Sequence, residues 1–175
     1  MARIILVTGG ARSGKSRHAQ KLAEVIEGER AFVATCEPLD DEMRQRVRAH
    51  QRARREAGWR TVEEKVDLVR ALRRCRQSAV ILVDCLTLWV SNLLGEAGDD
   101  LTEEQIQRRC DELLAACAEH PGTVIFVTNE VGDGIVPDNA LARRYRDLVG
   151  RCNQAMAAGA DEAYVVVCGI AQRLK

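Results

Sequence analysis

Residues 4–16 read IILVTGGARSGKS, an apolar run that leads directly into a glycine-rich turn. The apolar and β-branched residues Ile4–Thr8 predict a buried strand, and Gly9–Ser16 matches the phosphate-loop pattern G-x-x-x-x-G-K-[ST]. Its glycines let the backbone N–H groups face an anion, and the helix that follows adds its positive N-terminal end. Lys15 can reach the β- and γ-phosphates, and Ser16 can ligate Mg²⁺. The stretch therefore indicates nucleotide binding, and the alternative is a glycine turn without a ligand.

Strand and helix patterns alternate along the rest of the chain. Further apolar, β-branched runs predict strands at Ala31–Thr35, Val80–Val83, Val124–Thr128 and Tyr164–Val167. Helical patterns lie at about 15–27, 40–57, 66–77, 86–94 plus 102–119, and 139–159, and residues 102–105 read as a capping box. Near-continuous apolar strands are typical of a parallel sheet buried on both faces. The alternation predicts a single, doubly wound α/β domain over residues 1–175, with helices on both faces of a mostly parallel sheet.

Composition narrows the class of protein. The 175 residues are 46% hydrophobic, which fits a folded globular domain. Lys plus Arg and Asp plus Glu both total 26, so the chain as a whole offers no basic field for nucleic acid. No signal-peptide pattern precedes the first strand, and no apolar run approaches the ~18 residues of a membrane span. A reducing cytoplasm is the simplest location.

The seven cysteines are expected to be reduced and structural. Their number is odd, and no two have the CxxC spacing of a zinc or redox site. Cys36, Cys85 and Cys168 each follow an apolar run and are expected to behave as small buried hydrophobes.

Ligands of doubly wound folds collect at the carboxyl ends of the strands. Asp84 follows one predicted strand and can hold the hydration shell of Mg²⁺, and its alternative role is to cap the helix that starts near Leu86. Glu130 follows another predicted strand. It is a weaker candidate for the metal role, and its alternative is to order the glycine-rich turn 132–134.

The basic stretch RVRAHQRARR at 46–55 surrounds one histidine with five arginines. On a helix, Arg46 and Arg54 lie one turn on either side of His50. The stretch is typical of a solvated amphipathic helix face. A nucleic-acid patch is disfavoured by the neutral net charge and by the scarcity of stacking aromatics. A third interpretation is chemical: arginines keep His50 neutral and nucleophilic while they hold phosphate oxygens. Spacing alone leaves the three open.

Several long stretches, in order, resemble one known family. They are VTGGARSGKSRHA at 7–19, ATCEPLDDEMRQRVRAHQ at 34–51, GWRTVEE at 58–64, ILVDCLTLWVSNLL at 81–94, VTNEVGDGIVPDNALARRYRDLVGRCNQ at 127–154 and the VVVCGIAQRLK tail. The family is that of the bifunctional adenosylcobinamide kinase/adenosylcobinamide-phosphate guanylyltransferases of cobalamin synthesis, and the resemblance covers essentially the whole chain. It implies a RecA-like P-loop NTPase fold, usually assembled as a homotrimer.

The resemblance also implies two reactions. ATP or GTP phosphorylates the aminopropanol hydroxyl of adenosylcobinamide, and GTP then transfers GMP to that phosphate, which releases pyrophosphate and gives adenosylcobinamide-GDP. His50 occupies the position of the family's guanylylated histidine, and Lys15 serves the kinase step. The phosphate-loop pattern and the position of Asp84 after its strand predict Mg²⁺ at Ser16 and Asp84. The implied nucleotide contacts are Gly9, Gly10, Ala11, Arg12, Ser13, Gly14, Lys15, Ser16, Ala34, Thr35, Cys36, Gln51, Arg52, Ala53, Arg54, Glu63 and Asp84.

Three other functions remain as alternatives. The nearest is a small-molecule kinase that uses only the phosphate loop and has no guanylyltransferase activity, with His50 in a structural role. An ATPase stimulated by nucleic acid is disfavoured by the neutral charge, and a regulatory GTPase is disfavoured because the chain has no N-K-x-D motif. The expected partners are therefore the nucleotides and the corrinoid, with no nucleic acid and no membrane.

Overall fold

A seven-stranded sheet forms the centre of the computed structural model, which describes residues 2–36, 52 and 54–175. The strand order is β3-β2-β4-β5-β1-β6-β7, and all neighbours are parallel except the antiparallel pair β6 and β7. The strands are β1 (Arg3–Thr8), β2 (Arg30–Ala34), β3 (Trp59–Glu63), β4 (Val80–Asp84), β5 (Thr123–Val127), β6 (Glu162–Val167) and β7 (Ile170–Arg173).

The helices of the described residues connect these parallel strands. They are α1 (Lys15–Glu24), α2 (Leu68–Arg74), α3 (Leu86–Ala97), α4 (Glu103–Ala118) and α5 (Ala140–Gly159), with a 3₁₀ turn at Gly98–Asp100 between α3 and α4. The predicted capping box is confirmed, because the Thr102 hydroxyl accepts from the Gln105 backbone N–H and the Gln105 side chain accepts from the Thr102 N–H. The α5 helix begins after Asn139, whose side chain accepts from the Ala142 N–H. Both caps satisfy backbone donors that the first turn leaves unpaired.

Helices cover both faces of the sheet, but unequally. One face packs against α1 through strand residues that alternate along the sheet: Ile5, Val7, Phe32, Leu82, Ile125 and Val127, with Ala19 and Ala23 of α1. The opposite face, centred on Leu6, Val83 and Phe126, packs against α2 to α5 through Leu72, Trp89, Leu113 and Leu148. Two-sided burial explains why the central strands are nearly continuous apolar runs.

The predicted architecture is confirmed, and its five predicted strands are present to within two residues at each end. The edge strands β3 and β7 were not predicted. In β3 only Trp59 and Val62 are buried, and β7 has no buried residue. A search for continuous apolar runs misses strands that are covered on at most one side. The predicted helix at about 40–57 lies mostly outside the described residues, of which Arg52 and residues 54–56 are helical.

The cysteine prediction holds for some positions and fails at one. All seven thiols are free. Cys85 is buried as expected, and burial raises its pKa to about 11. Cys36 is only partly buried, and Cys168 is exposed because it lies in the tight turn between β6 and β7 with a φ of 51°. The prediction of a buried Cys168 was therefore wrong. Among the described residues, none of the helices has both the length and the apolar character needed to cross a bilayer.

Candidate active site

The phosphate loop is shaped by glycines at two positions where a side chain would not fit. Gly9 has a φ of 150°, and a Cβ there would lie 2.4 Å from the Val166 carbonyl oxygen. Gly14 has a φ of 97° and is the N-cap residue of α1. Lys15 is only 9% exposed, and its Nζ donates to the Gly10 carbonyl at 3.1 Å. The ammonium group is thus held inside the loop, where a phosphate chain would meet it.

The turn between β6 and β7 forms a second wall beside the loop. The Gly169 N–H donates to the Ser13 carbonyl oxygen at 2.8 Å, which ties the turn to the loop. Between them lies an open pocket of ≈ 550 Å³. It is lined by Arg12, Ser13, Gly14, Lys15, Ser16, Arg17, Cys168 and Gly169. Three cationic side chains and the N-terminus of α1 make this pocket suited to an anionic ligand of nucleotide size.

Strand register places the other predicted site residues along the same edge of the sheet. Glu63 pairs with Ala34, and Ala34 pairs in turn with Asp84. Asp84 pairs with Val127, which pairs with Val7 of the phosphate-loop strand. One row thus crosses five strands, and roughly 10 Å of sheet separates β4 from β1 at about 4.8 Å per strand.

Arg54 lies over this row on the face that α1 covers. Its guanidinium carbon lies 3.9 Å from the centroid of the Phe32 ring, a cation–π contact. Burial lowers the pKa of Arg54, while the negative charges of Asp84 and Glu63 act in the opposite direction. Its buried Nε has no hydrogen-bond partner in the described part of the chain. Arg54, Glu63 and Asp84 therefore form a charged group, here called the arginine cluster, next to the phosphate-loop strand.

The end of β2 contributes differently to this edge. The Thr35 side chain is fully buried, and its hydroxyl donates to the Cys85 carbonyl at 2.8 Å and accepts from the Cys85 N–H at 2.7 Å. These bonds hold β2 against β4 and point the hydroxyl into the protein. Cys36 is partly exposed, and burial together with the nearby charge of Asp84 raises its pKa. Ala34 and Cys36, rather than the Thr35 side chain, face the arginine cluster.

Asp84 does not occupy the N-cap position of the helix that follows it. The N-cap residue of α3 is Cys85, and its side chain makes no capping hydrogen bond. Asp84 is thus not the N-cap residue, and its carboxylate lies at the end of β4 near Arg54 and Cys36.

Polar side chains that the sequence analysis did not single out fix the ends of β4 and β5. The Thr87 hydroxyl accepts from the Asn129 N–H at 2.7 Å and lies 3.3 Å from the Thr128 hydroxyl. Thr128 donates to Asn153 Oδ1 at 2.6 Å, and Asn153 Nδ2 donates to the Asn129 carbonyl at 3.1 Å. Nothing local in the sequence marks Asn153, because it lies on α5, 24 residues from Asn129. Its only signal is its place in the family-like stretch 127–154.

Glu130 follows Asn129 and connects this hydrogen-bond network to the phosphate loop. Its Oε1 accepts a hydrogen bond from the Thr8 hydroxyl at 2.5 Å, and its backbone N–H donates to the Gly9 carbonyl at 3.2 Å. Both contacts are with the point where β1 becomes the phosphate loop, and neither is with the turn 132–134. Thr8 itself has no signal in the sequence beyond being the last residue of its strand.

Two of the three histidines are described. His120 is 3% exposed and lies at the amino end of β5, where its Nδ1 accepts from the Gly122 N–H at 3.0 Å. That position is on the opposite edge of the sheet from the phosphate loop. His18 lies on α1 against the Tyr164 ring, with 5.3 Å between ring centroids, and burial lowers its pKa. The predicted nucleophile His50 lies outside the described residues, as do Arg46, Gln51 and Ala53.

Comparisons with known proteins agree over nearly the full length. The family model described as "Cobinamide kinase / cobinamide phosphate guanyltransferase" matches residues 5–174. The bifunctional adenosylcobalamin biosynthesis protein CobU of Escherichia coli (strain K12) is 43% identical over an alignment of 186 positions, gaps included, that covers 98% of this chain and 99% of the relative. Its namesake in Salmonella typhimurium (strain LT2) is 44% identical over an alignment of 187 positions, with the same coverage.

A third relative comes from another organism. The bifunctional adenosylcobalamin biosynthesis protein CobP of Pseudomonas aeruginosa (strain PAO1) is 42% identical over 171 residues, which cover 97% of this chain and 96% of the relative. The family match and these identities agree with the phosphate loop and the mostly parallel sheet. This chain therefore belongs to the cobinamide kinase / cobinamide phosphate guanyltransferase family, whose fold is of the P-loop type.

Proposed function

We propose that this chain phosphorylates adenosylcobinamide with ATP or GTP and then transfers GMP from GTP to the product. The second reaction gives adenosylcobinamide-GDP and pyrophosphate. The observation that carries the proposal is the presence of two charged groups at the carboxyl edge of one sheet. The phosphate-loop pocket lies beside β1, and the arginine cluster lies at the ends of β2, β3 and β4. A single domain, residues 1–175, would host both reactions.

The kinase step belongs to the phosphate loop. In this proposal the backbone N–H groups of residues 9–16 hold the β- and γ-phosphates, and Lys15 stabilises the charge on the transferred phosphoryl group. The contact of Lys15 with the Gly10 carbonyl supports this role, because it keeps the ammonium group oriented toward the loop. The turn at Gly169 stiffens the loop from the other side through its bond to Ser13.

Mg²⁺ is proposed to accompany the nucleotide, with Ser16 and Asp84 as its protein ligands. A hydroxyl and a carboxylate are the hard oxygen donors that this ion prefers, and Mg²⁺ usually keeps few protein ligands beside water and phosphate oxygens. When bound, it would neutralise charge on the phosphates. Asp84 lies at the carboxyl end of β4, one residue before Cys85, the N-cap residue of α3.

The guanylyltransferase step is proposed to use His50 as nucleophile. The imidazole attacks the α-phosphorus of GTP, the bond to pyrophosphate breaks, and a phosphoramidate-linked GMP remains on the histidine. The phosphate oxygen of adenosylcobinamide phosphate then attacks the same phosphorus and releases the histidine. Arg54 supports this assignment, because it lies four residues after His50 in the sequence and sits over Phe32, near the charges of Asp84 and Glu63.

A homotrimer in the cytoplasm is the proposed working state. Large apolar side chains are exposed on the edge hairpin and in the segment before α5, at Ile135, Val136, Ile170 and Leu174. Such surface is often covered in oligomers. Seven free thiols fit a reducing compartment. Light scattering on the purified protein measures the subunit number directly, and a monomer at working concentration would contradict the trimer.

Separate assays of the two reactions test the proposed function. Purified protein is incubated with adenosylcobinamide, Mg²⁺ and ATP, and in a second reaction with adenosylcobinamide phosphate, Mg²⁺ and GTP. Mass spectrometry should find adenosylcobinamide phosphate in the first and adenosylcobinamide-GDP with pyrophosphate in the second. Formation of the first product alone would support the kinase-only alternative, and formation of neither would overturn the proposal.

A further inference from the structure

Glu130 lies between the phosphate loop and Asp84, the two parts of the proposed phosphoryl-transfer site. It follows β5, the strand between β1, which leads into the phosphate loop, and β4, which ends at Asp84. Its carboxylate contacts Thr8 and its N–H contacts Gly9, at the root of the loop. A γ-phosphate held by Lys15 and directed toward Asp84 would therefore lie next to Glu130.

The position of Glu130 is fixed from three sides. The preceding peptide groups are held by Thr87, which accepts from the Asn129 N–H, and by Asn153, which donates to the Asn129 carbonyl. The Thr8 hydroxyl donates to Oε1. Among the described residues, no hydrogen bond or ion pair involves Oε2, the other carboxylate oxygen. The residue is only partly buried, and Oε2 is not among the buried side-chain oxygens that lack a partner.

A carboxylate is a poor choice here if its role is only structural. The Thr8 hydroxyl needs an acceptor, and the amide oxygen of a glutamine would serve equally well. A negative charge beside a triphosphate is repelled by it, at close range by about 1 kcal/mol or more per charge pair. A charge that opposes ligand binding is expected at a position where the chemistry needs it.

We propose that Glu130 is the general base of the kinase step, an inference that rests on the proposed function. The O–H bond of the acceptor alcohol breaks and its proton passes to Glu130 Oε2. The alcohol oxygen forms a bond to the γ-phosphorus, while the bond between that phosphorus and the β–γ bridging oxygen breaks. The nucleoside diphosphate leaves with that electron pair. Asp84 and Lys15 act on the phosphates, so the proton transfer falls to Glu130.

The test compares Glu130→Gln with Thr8→Val. Glu130→Gln keeps an acceptor for Thr8 and removes the base, whereas Thr8→Val removes the hydrogen bond and keeps the base. With saturating Mg²⁺, we expect Glu130→Gln to lower the kcat of adenosylcobinamide phosphorylation by about 10²–10⁴-fold, the usual contribution of a general base. The KM for ATP should stay within about threefold, because the phosphate contacts remain. Thr8→Val should lower kcat by less than about tenfold.

GMP transfer to supplied adenosylcobinamide phosphate separates this role from damage to the fold, because that step needs no proton from an alcohol. Glu130→Gln should retain it, and Asp133→Asn, an exposed acid three positions further on, should retain both reactions. A Glu130→Gln kinase rate near that of the wild type, an equal loss of both reactions, or a defect that extra Mg²⁺ repairs would each overturn the inference. A wild-type protein without kinase activity would instead overturn the proposed function itself. If Glu130→Gln does not fold, Glu130→Asp takes its place and should retain part of the kinase rate.

Discussion

The phosphate loop and the arginine cluster lie on the same edge of the sheet, but they are built in opposite ways. The loop is one continuous stretch, and its geometry comes from backbone, with glycine at Gly9 and Gly14 where a side chain would not fit. The arginine cluster consists of three side chains, Arg54, Glu63 and Asp84, which are up to 30 positions apart in the chain. The fold brings them together, Glu63 and Asp84 through strand register. A site made of backbone is visible in a sequence motif, whereas a site made of side chains depends on the fold.

This difference predicts that the two regions can be damaged separately. Substitutions in the loop should act mainly on phosphoryl transfer, and substitutions in the arginine cluster should act mainly on GMP transfer. Asp84 belongs to the row that links them and should affect both.

The largest expected effect is that of Lys15→Ala on the kinase step. Removal of the ammonium group takes away a fixed positive charge at the transferred phosphoryl group, and we expect kcat to fall on the order of 10³-fold. Steady-state assays with ATP and adenosylcobinamide measure this fall, and the melting temperature checks the fold. Lys21→Ala, an exposed lysine on the same helix, is the matched control. Near wild-type kinase turnover in Lys15→Ala would contradict the assignment of the loop.

Asp84→Asn should reduce both reactions by about 10–100-fold at a fixed, moderate Mg²⁺ concentration, because an amide oxygen is a weaker ligand than a carboxylate. The rate is measured against Mg²⁺ concentration for the wild type and the variant. The curve of the variant should shift to higher Mg²⁺. An unchanged curve would contradict the role of Asp84 as a metal ligand. Asp111→Asn, at an exposed position on α4, controls for the loss of a charge.

Arg54→Met should lower GMP transfer by about 10–50-fold and leave the kinase rate within about twofold, since only the second reaction is expected to need this guanidinium. Its neighbour Arg55 is exposed and supplies the control Arg55→Met. Equal losses of the two activities would show that the cluster and the loop do not work independently.

The smallest expected effect is on the pH dependence of stability, and it comes from His120 at the amino end of β5. Burial lowers its pKa below the ordinary value of 6.5, so the unfolded chain binds more protons than the folded one below about pH 6.5. The neutral form of His120 therefore stabilises the folded protein above that pH, and this stabilisation decreases on acidification. Urea unfolding at pH 7.5 and 5.5 should show a loss of stability that is smaller in His120→Asn than in the wild type. Both activities at pH 7.5 should be unaffected, and an unchanged pH dependence of stability would contradict this role.

The same difference between local and long-range construction determines which parts of the molecule the sequence predicts. The central strands, the capped helices and the phosphate loop have local sequence patterns. Burial on both faces requires consecutive apolar residues, and the loop geometry requires glycine at fixed spacing. The edge strand β3 has no continuous apolar run and was missed. The bond between Thr8 and Glu130 joins residues 122 positions apart, and the Thr35 hydroxyl bonds the backbone of Cys85 50 positions away. No short pattern contains either pair, so only the family resemblance or the fold could bring them forward.

The central claim is that one domain forms a covalent guanylyl intermediate at His50 and carries out phosphoryl transfer without it. The most direct measurement is the intact mass of the wild type and of His50→Ala after incubation with GTP and Mg²⁺, with the kinase rate of both proteins measured in parallel. The account predicts one added GMP on the wild type, labile to acid and stable to alkali as expected of a nitrogen–phosphorus bond. It predicts no adduct on His50→Ala, and kinase rates that agree within about threefold. Covalent GMP on His50→Ala, or a wild type that phosphorylates adenosylcobinamide and never acquires GMP, would contradict it.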